Sequence, residues 1–479
     1  MLTTLLKNKK VLYTVIGFLP LSVSVIFTPI YINYLSVEDY GFINLYNTVI
    51  GLIAPILHLG IKDGFGFLYW HNNHDSNSVD LFFNKSLLSI IIFQGLTMTL
   101  FFVFGGFILG LFFESFNEID YKPFVFVAGF YAFFLNINDL FFYYFRNKGD
   151  TKNFILLNLL SLALMTLGSI FGIIVFNQGL YGAIFGKFIG YSIVVLYFVV
   201  KHFKNLALSI DLKFIKTITH LGFPILLSTL IGAYSSVCDK FFLQKHFPLG
   251  SMGIYGMALT ITYLVEILLV SFMHYMLPDM LNKLKNGGEE NAIVKSIEEV
   301  FHLLTIFCFF VLAISPMVLK LFPKDYLEVL CYIPFLCVVS FIKFLYNINS
   351  LNFYLYKSSR VFLKVQIVSS LIIFLVLYFL PIKMHIYGAV LILVLYNVIQ
   401  LVISYMFLIK EKYFILKDRK LIILYFLVLF LLISLGILYL ITKFLFLFYI
   451  PIFMYLFILY SIDRHFVSKF MENFNNTIK

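Results

Sequence analysis

Charged side chains stand inside long apolar stretches of this sequence, and a charge at the centre of a membrane helix costs about 2.5 to 3.5 kcal/mol. A lysine there could neutralise a phosphate or pyrophosphate anion as a point charge. A carboxylate could bind a coupling cation or pair with a lysine. The sequence therefore offers Lys62, Lys187 and Lys343 as candidate anion-binding residues. The candidate coupling or structural charges are Asp63, Asp139, Asp239, Lys240 and Glu266.

A polar stripe on the second apolar stretch is another candidate feature. Its members are spaced by three or four residues, so they share an arc of about 80° on a helix. They are Asn44, Asn47, Gly51, Pro55, His58 and Lys62. Hydrocarbon cannot satisfy such groups, so the stripe must face protein or water. It could hold the bundle together by hydrogen bonds, but we favour the lining of a cavity, since Gly51 and Pro55 would let the helix bend. His58 could carry a proton, although a packing histidine is the simpler interpretation.

The elements that position these residues follow from the composition. The chain has 479 residues, of which 61% are hydrophobic and 12% charged, and its mean hydropathy is +0.97. A soluble globule could not keep so much apolar surface from water. Apolar runs of about 20 residues, the length needed to cross a hydrocarbon core, recur throughout. We predict an all-α integral membrane protein with about 14 transmembrane helices, called spans 1 to 14 here. They are 11–35, 41–61, 86–113, 123–145, 154–176, 180–200, 221–243, 254–277, 301–322, 331–356, 361–380, 387–409, 421–441 and 444–462.

The distribution of positive charge predicts the orientation. The net charge of +11 could suggest a nucleic-acid partner. Most lysines and arginines, however, fall in the segments that lie on one side of the predicted spans. Because cytoplasmic loops are enriched in these residues, we expect both termini in the cytoplasm and no nucleic-acid partner.

Several kinds of chemistry are not indicated. There is no Gly-Lys-Ser/Thr phosphate-binding loop, and the four cysteines show no metal-ligand spacing, so we expect neither a cofactor nor a metal site. The predicted outside loops are too short to form a catalytic domain. We therefore expect that the protein is not an enzyme.

An internal repeat sets the predicted architecture. The sequence from Asn136 to Arg146 recurs from Asn347 to Lys357 with six identical positions, and each copy carries a polar edge that ends in a cation. Spans 1 and 7, and spans 6 and 12, also match. Two parallel repeats predict two six-helix lobes around a central cavity, followed by two extra helices. The predicted parts are an N-lobe at 1–200, an amphipathic cytoplasmic linker at 201–220, a C-lobe at 221–409, two helices at 421–462 and a cytoplasmic tail at 463–479.

Short motifs along the chain resemble a known family. They are Pro20, the loop from Tyr34 to Gly41, Leu59-Gly60, Asp239-Lys240, Ile254-Tyr255 and Gly388-Ala389. In this order and spacing they resemble polysaccharide flippases of the Wzx type, which belong to the multidrug/oligosaccharidyl-lipid/polysaccharide exporter (MOP) superfamily. The resemblance covers nearly the whole chain.

The resemblance implies a function in a bacterial cytoplasmic (inner) membrane. An alternating-access flippase of this kind moves undecaprenyl-pyrophosphate-linked oligosaccharide, such as an O-antigen unit of lipopolysaccharide, to the outer leaflet. It works among membrane lipids, with H+ or Na+ as a possible coupling ion and a polysaccharide polymerase and chain-length regulator as possible partners. On this basis Lys62, Lys187 and Lys343 would attract the pyrophosphate, and Asn44, Asn47 and Ser228 would meet sugar hydroxyls. The chain departs from these flippases in using lysine where they typically use arginine. Lysine lacks the bidentate fork with which arginine binds phosphate.

Two other functions remain open at this stage. A cation-coupled multidrug exporter with the same fold would use the carboxylates Asp63, Asp139 and Glu266 for its cargo or its coupling ion. A membrane-embedded saccharide polymerase or ligase would require a large external catalytic loop, and the predicted loops do not provide one.

Overall fold

All regular structure in the described part of the chain is helical. The computed structural model describes residues 27–62, 64–65, 76–112, 122–203, 211–285, 290–355, 359–379, 384–411 and 419–455. The helices are α1 (27–34), α2 (Val37–Leu57), α3 (Ser76–Phe112), α4 (Lys122–Lys148), α5 (Thr151–Ile170), α6 (Gly179–Phe203), α7 (Leu212–Ser235), α8 (Cys238–His246), α9 (Leu249–Lys285), α10 (Glu290–Leu319), α11 (Ile333–Leu355), α12 (Ser359–Phe379), α13 (His385–Glu411), α14 (Arg419–Thr442) and α15 (450–455). The predicted all-α fold is confirmed.

Ten of the described helices are long and apolar enough to cross a membrane. Many of their leucine, isoleucine and phenylalanine side chains are exposed, as expected of surfaces that lie in lipid rather than in water. The protein is therefore a multi-pass membrane protein. The count of 14 spans stays a prediction, because most of span 1 and the end of span 14 lie outside the described residues.

Helix α2 begins with a capping box, in which a side chain and a backbone group bond reciprocally. The backbone N–H of Asp39 donates to Ser36 Oγ at 3.0 Å, and the N–H of Ser36 donates to Asp39 Oδ2 at 3.2 Å. Two N–H groups that a helix start would leave unsatisfied thereby gain acceptors. The Ser-Val-Glu-Asp sequence of the loop thus fixes the start of this helix.

The other end of α2 differs from the prediction. Span 2 was expected to continue to residue 61, but the helix ends at Leu57, two residues after Pro55. The backbone then turns through Leu59 and Gly60, which have positive φ angles of 46° and 80°. Pro55 removes a helical hydrogen bond, and glycine tolerates the left-handed conformation, so both residues favour this break. The predicted continuous stripe is therefore interrupted before Lys62.

Helix α7 begins earlier and ends earlier than the predicted span 7. Asp211 caps its first turn, where Oδ1 accepts the N–H of Phe214 at 3.0 Å. Lys85 of α3 also donates to Asp211, at 2.8 Å, and this hydrogen bond lowers the pKa of the Asp211 carboxyl. The predicted 201–220 linker is therefore partly helical, since residues 201–203 belong to α6 and residues 212–220 belong to α7. At its other end α7 stops at Ser235, so Asp239 and Lys240 lie on the separate helix α8.

The contacts within the chain define two compact units. The first comprises Met1–Gly256 and Leu363–Tyr396, and the second comprises Met257–Phe362 and Asn397–Lys479. In the first unit α5 packs along α6 and α2 packs along α4, whereas in the second α11 packs along α14. The predicted division into two six-helix lobes stays a prediction.

Candidate functional site

An ion pair joins α4 to the segment that follows α2. Lys62 Nζ lies 2.9 Å from Asp139 Oδ2. The two side chains are partly buried, so each helps to neutralise the other away from bulk water. Asp139 belongs to the first copy of the internal repeat, and its polar edge accordingly faces α2.

A second ion pair occurs in the second compact unit. Here the carboxylate precedes the lysine in the sequence, which is the reverse of the order in the Lys62–Asp139 pair. Lys343 Nζ of α11 lies 2.7 Å from Glu266 Oε1 of α9. The lysine is now on the later helix, and the carboxylate on the earlier one. Two of the three candidate cations, Lys62 and Lys343, thus have a carboxylate partner inside the protein.

Asn136, the first residue of the repeat, forms a hydrogen bond to the backbone near the end of α2. Its Nδ2 donates to the backbone carbonyl of Ala54 at 2.7 Å, and the side chain is fully buried. Thr97 Oγ1 of α3 donates to the carbonyl of Leu57 at 3.0 Å. Because the helix ends here, these carbonyls need hydrogen-bond donors from other helices. The asparagine therefore stabilises the turn that the proline initiates.

His58 lies at the same turn and is buried. Its Nδ1 accepts a hydrogen bond from the backbone N–H of Gly60 at 3.0 Å. This contact joins the ring to the backbone of the turn, which is consistent with the packing interpretation. A proton-coupling role for His58 stays untested.

Lys187 differs from the other two candidate cations. Its ammonium donates to Asn47 Oδ1 at 3.0 Å and lies 5.4 Å from the centroid of the Tyr131 ring. No carboxylate pairs with it among the described residues. A cation held by an amide and an aromatic face keeps its positive charge uncompensated, so it can attract an anion. The candidate site thus comprises Lys187, Asn47 and Tyr131.

Close glycine packing fixes the helix that carries Lys187. Gly168 and Gly172 of the α5 region face Gly186 and Gly182 of α6, and a Cβ atom on any of the four would overlap the facing backbone. Such small residues let two membrane helices approach closely. Lys187 directly follows Gly186, so its backbone has little freedom to shift.

Of the remaining stripe residues, some pack against other helices and others face open space. Asn44 Nδ2 donates to the carbonyl of Tyr40 at 2.9 Å, and the side chain lies against Gly256 of α9. Gly51, one turn after Asn47, has no atom within 4 Å of its ideal Cβ position. Asn47 and Gly51 are both exposed. The open part of the stripe is therefore the part next to Lys187.

Helix α2 meets helices of the predicted second half at both of its ends. At its start, a Cβ on Gly41 would overlap the carbonyl of Leu249, and one on Gly253 would overlap the carbonyl of Val37. After its end, a Cβ on Gly222 of α7 would overlap the carbonyl of Gly60. A helix of 21 residues is about 30 Å long, so the two backbone contacts lie a membrane thickness apart. Lys187 and Asn47 lie between them.

Asp239 is buried on α8, where its side chain contacts α9 and the adjacent Lys240 contacts α2. The hydroxyl of Tyr255 on α9 donates to Asp239 Oδ2. Lys240 Nζ donates to Thr48 Oγ1 of α2 at 3.2 Å. The predicted position near one end of span 7 is wrong in detail, because a helix break at residues 236–237 separates Asp239 from α7. Two predicted residues cannot be placed, since Asp63 and the side chain of Ser228 lie outside the described residues.

Sequence reasoning missed the partners that the structure gives to five candidate charges, which are Lys62, Asp139, Lys187, Glu266 and Lys343. Neither the Lys62–Asp139 pair nor the Lys343–Glu266 pair follows from spacing, because their members lie on different helices. Tyr131 was overlooked among many aromatic residues, and no local signal marks it. The role of Asn136 could have been found, since a buried asparagine on a membrane helix needs a hydrogen-bond partner.

Comparison with known proteins gives a family and a fold. Residues 34–309 match the model of a family described as polysaccharide biosynthesis protein. No curated protein sequence matches the chain.

The solved structures share the fold at low identity. The lipid II flippase MurJ in an inward closed conformation has a TM-score of 0.67 and 16% identity, with 97% of this chain and 99% of that chain covered. An inward-facing multidrug resistance MATE family transporter of the MOP superfamily has a TM-score of 0.57 and 16% identity, with 82% and 95% covered. A MOP superfamily transporter from Pyrococcus furiosus has a TM-score of 0.55 and 16% identity, with 85% and 97% covered. The predicted MOP-type fold is confirmed.

Proposed function

The chain belongs to the polysaccharide biosynthesis protein family, and we propose that it is a flippase for lipid-linked glycans. Its cargo is an undecaprenyl-pyrophosphate-linked oligosaccharide, which it moves from the cytoplasmic to the outer leaflet of a bacterial inner membrane. The fold shared with the lipid II flippase MurJ supports this proposal, since a flippase of another lipid-linked saccharide can be built on the same helices. Transport by alternating access requires no catalytic step, so the protein is not an enzyme.

The uncompensated charge of Lys187 carries the proposal. A pyrophosphate is a strong anion that needs a cation in a place of low dielectric constant. Lys62 and Lys343 already neutralise carboxylates, whereas Lys187 is held only by an amide oxygen and an aromatic ring. On pyrophosphate binding, the ammonium would exchange Asn47 for a phosphate oxygen. The freed amide could then bind a sugar hydroxyl.

The membrane potential favours the proposed direction of transport. An inside-negative potential drives an anion outward by about 2.3 kcal/mol per charge per 100 mV. Two pyrophosphate charges would therefore gain several kcal/mol. The polyprenyl tail needs no polar site and would remain in lipid. Outward transport requires that the termini and the Gly60 end of α2 face the cytoplasm, as the charge distribution predicts. Reporter fusions at both termini test this orientation.

Lipid extraction from cells tests the function. We expect that deletion of the gene leads to accumulation of a discrete polyprenyl-pyrophosphate oligosaccharide, visible by mass spectrometry, and that restoration clears it. Because a block in polymerisation could also raise this lipid, side-specific labelling must place it on the inner leaflet. Accumulation on the outer leaflet, or none in a strain without a second flippase, would contradict the proposal.

A multidrug exporter is the second candidate function. The MATE family transporter of similar fold favours it, since the same architecture there belongs to a multidrug resistance transporter. Such an exporter would bind cationic cargo through a carboxylate, but Asp139 and Glu266 are both paired with lysines. Expression in a drug-sensitive strain distinguishes the two functions. Increased resistance to cationic dyes, with no change in lipid-linked glycans, would favour the exporter.

A further inference from the structure

We infer that Asp239 is a proton-binding site that is occupied in the conformation described here. The residue is 2% exposed, and its two carboxyl oxygens have different surroundings. Oδ2 accepts the Tyr255 hydroxyl, whereas Oδ1 is buried and has no hydrogen-bond partner. A buried carboxylate with an unsatisfied oxygen is costly, and a proton on that oxygen removes the charge.

The two other candidate carboxylates within the described residues are already paired with lysines. Asp139 pairs with Lys62 and Glu266 pairs with Lys343, at 2.9 Å and 2.7 Å, and the side chains of both carboxylates are more exposed than Asp239. Neither needs a proton to remain inside the protein. Asp239 is therefore the candidate carboxylate in the described chain for which a proton makes the largest difference.

A proton suits this site better than a metal cation. Metal cations that bind oxygen need several oxygen ligands, whereas a proton neutralises the carboxyl alone and leaves the Tyr255 hydrogen bond in place. The described residues contain no group of three histidine, cysteine, aspartate or glutamate side chains that could hold a metal. The titratable groups that face Asp239 are Tyr255 of α9 and Cys238 and Lys240 of α8. The ammonium of Lys240 also donates to Thr48 of α2, and its positive charge favours the carboxylate form of Asp239, so the proton binds against this attraction.

The location of Asp239 gives the proton a role in transport. Tyr255 lies between Gly253 and Gly256, the residues of α9 that pack against the first turns of α2. Protonated Asp239 stabilises this contact, because its burial then leaves no bare charge. When the contact opens, water reaches the carboxyl and the proton can leave. A proton that binds one conformation better shifts the equilibrium toward it, which couples the pH to opening at this end of the protein.

Infrared spectroscopy of the purified full chain tests the site without requiring transport. We expect a C=O stretching band of a protonated carboxylic acid at neutral pH that is lost in Asp239→Asn and kept in the matched control Asp139→Asn. Tyr255→Phe, which removes only the hydroxyl donor, should shift this band and therefore serves if Asp239→Asn fails to fold. A band that neither variant changes, or no protonated carboxyl band in the wild type, would overturn the inference.

The role in coupling rests on the proposed function and is measured separately. In proteoliposomes, we expect a pH gradient to change the rate of flipping of a lipid-linked saccharide by wild-type protein, and the response to be lost in Asp239→Asn. Loss of a response to a sodium gradient instead would overturn the proton assignment in favour of sodium. If the infrared band behaves as expected and no saccharide lipid is flipped, the proton site stands and the proposed function fails.

Discussion

Lys62 Nζ lies 2.9 Å from Asp139 Oδ2, although 77 residues separate the two in sequence. Glu266 and Lys343 meet at the same separation of 77 residues, with the charges exchanged. Each pair joins the second helical region of a predicted repeat to the fourth. Each pair links two helices of one compact unit, but the pairs do not occupy equivalent repeat positions, because the repeat aligns Asp139 with Ser350 rather than with Lys343.

Exchanging the two charges tests this relationship. We expect Lys62→Asp alone, and Asp139→Lys alone, to lower stability by about 1 to 3 kcal/mol, since each places two like charges together. The double exchange should recover most of the loss, because it re-creates the pair with the polarity of Glu266 and Lys343. Thermal unfolding of the purified variants in detergent gives the coupling energy by a double-mutant cycle. Simple addition of the two losses would show that the pair does not contribute as a unit.

Lys187→Ala is expected to weaken binding of the lipid-linked glycan without reducing the amount of protein in the membrane. A charge-assisted hydrogen bond contributes about 1.5 to 3 kcal/mol, so the affinity should fall about 10- to 100-fold. Lys187→Arg keeps the charge and should retain much of the transport. Flipping in proteoliposomes, measured over a range of substrate concentrations, checks both variants.

The same helix offers a matched control for Lys187. Lys201 of α6 also donates to an asparagine, Asn153, at 3.1 Å and lies over the ring of Tyr197. Its surroundings resemble those of Lys187 in kind, but it lies in the last turn of the helix. We expect Lys201→Ala to leave flipping unchanged. Equal losses in the two variants would show that the effect is not specific to Lys187, which would contradict its role as a substrate contact.

Hydropathy alone predicted most of the helices, because a bilayer requires about 20 apolar residues whatever the tertiary contacts are. The end of α2 was predicted at residue 61 instead of Leu57, although Pro55 and Gly60 are local signals for an earlier end. The break between α7 and α8 was not, because Ser236 and Val237 carry no strong helix-ending signal. The ion pairs and the Lys187 site depend on which helices pack together, and sequence spacing within one helix cannot supply that information.

Asn136→Ala is expected to destabilise the first repeat more than the equivalent change destabilises the second. It leaves the buried carbonyl of Ala54 without its donor, which costs about 1 to 3 kcal/mol. The matched control is Asn347→Ala, at the same position of the second copy, where the residue is only half-buried. Unfolding of each variant in detergent gives the two losses. Equal losses would contradict the specific role of Asn136 at the end of α2.

The two glycine contacts of α2 should respond in opposite ways to an added methyl group. Gly253→Ala pushes α9 away from the start of α2, and Gly222→Ala pushes α7 away from the turn after its end. We expect the first to open the protein toward the outside and the second toward the cytoplasm. Gly51→Cys supplies a reporter between the contacts, since its Cβ meets open space and the four native cysteines are buried.

Labelling of this cysteine from each side of the membrane shows toward which side each alanine variant opens the protein. An impermeant thiol reagent should label Gly51→Cys faster from outside in the Gly253→Ala background and faster from the cytoplasmic side in the Gly222→Ala background. Gly95→Ala is the control, because a Cβ at that position meets no atom within 4 Å, and it should change neither rate. If both alanine variants raise labelling from the same side, the contacts do not close opposite ends of the transport path, since a methyl group can open only the contact that it disrupts.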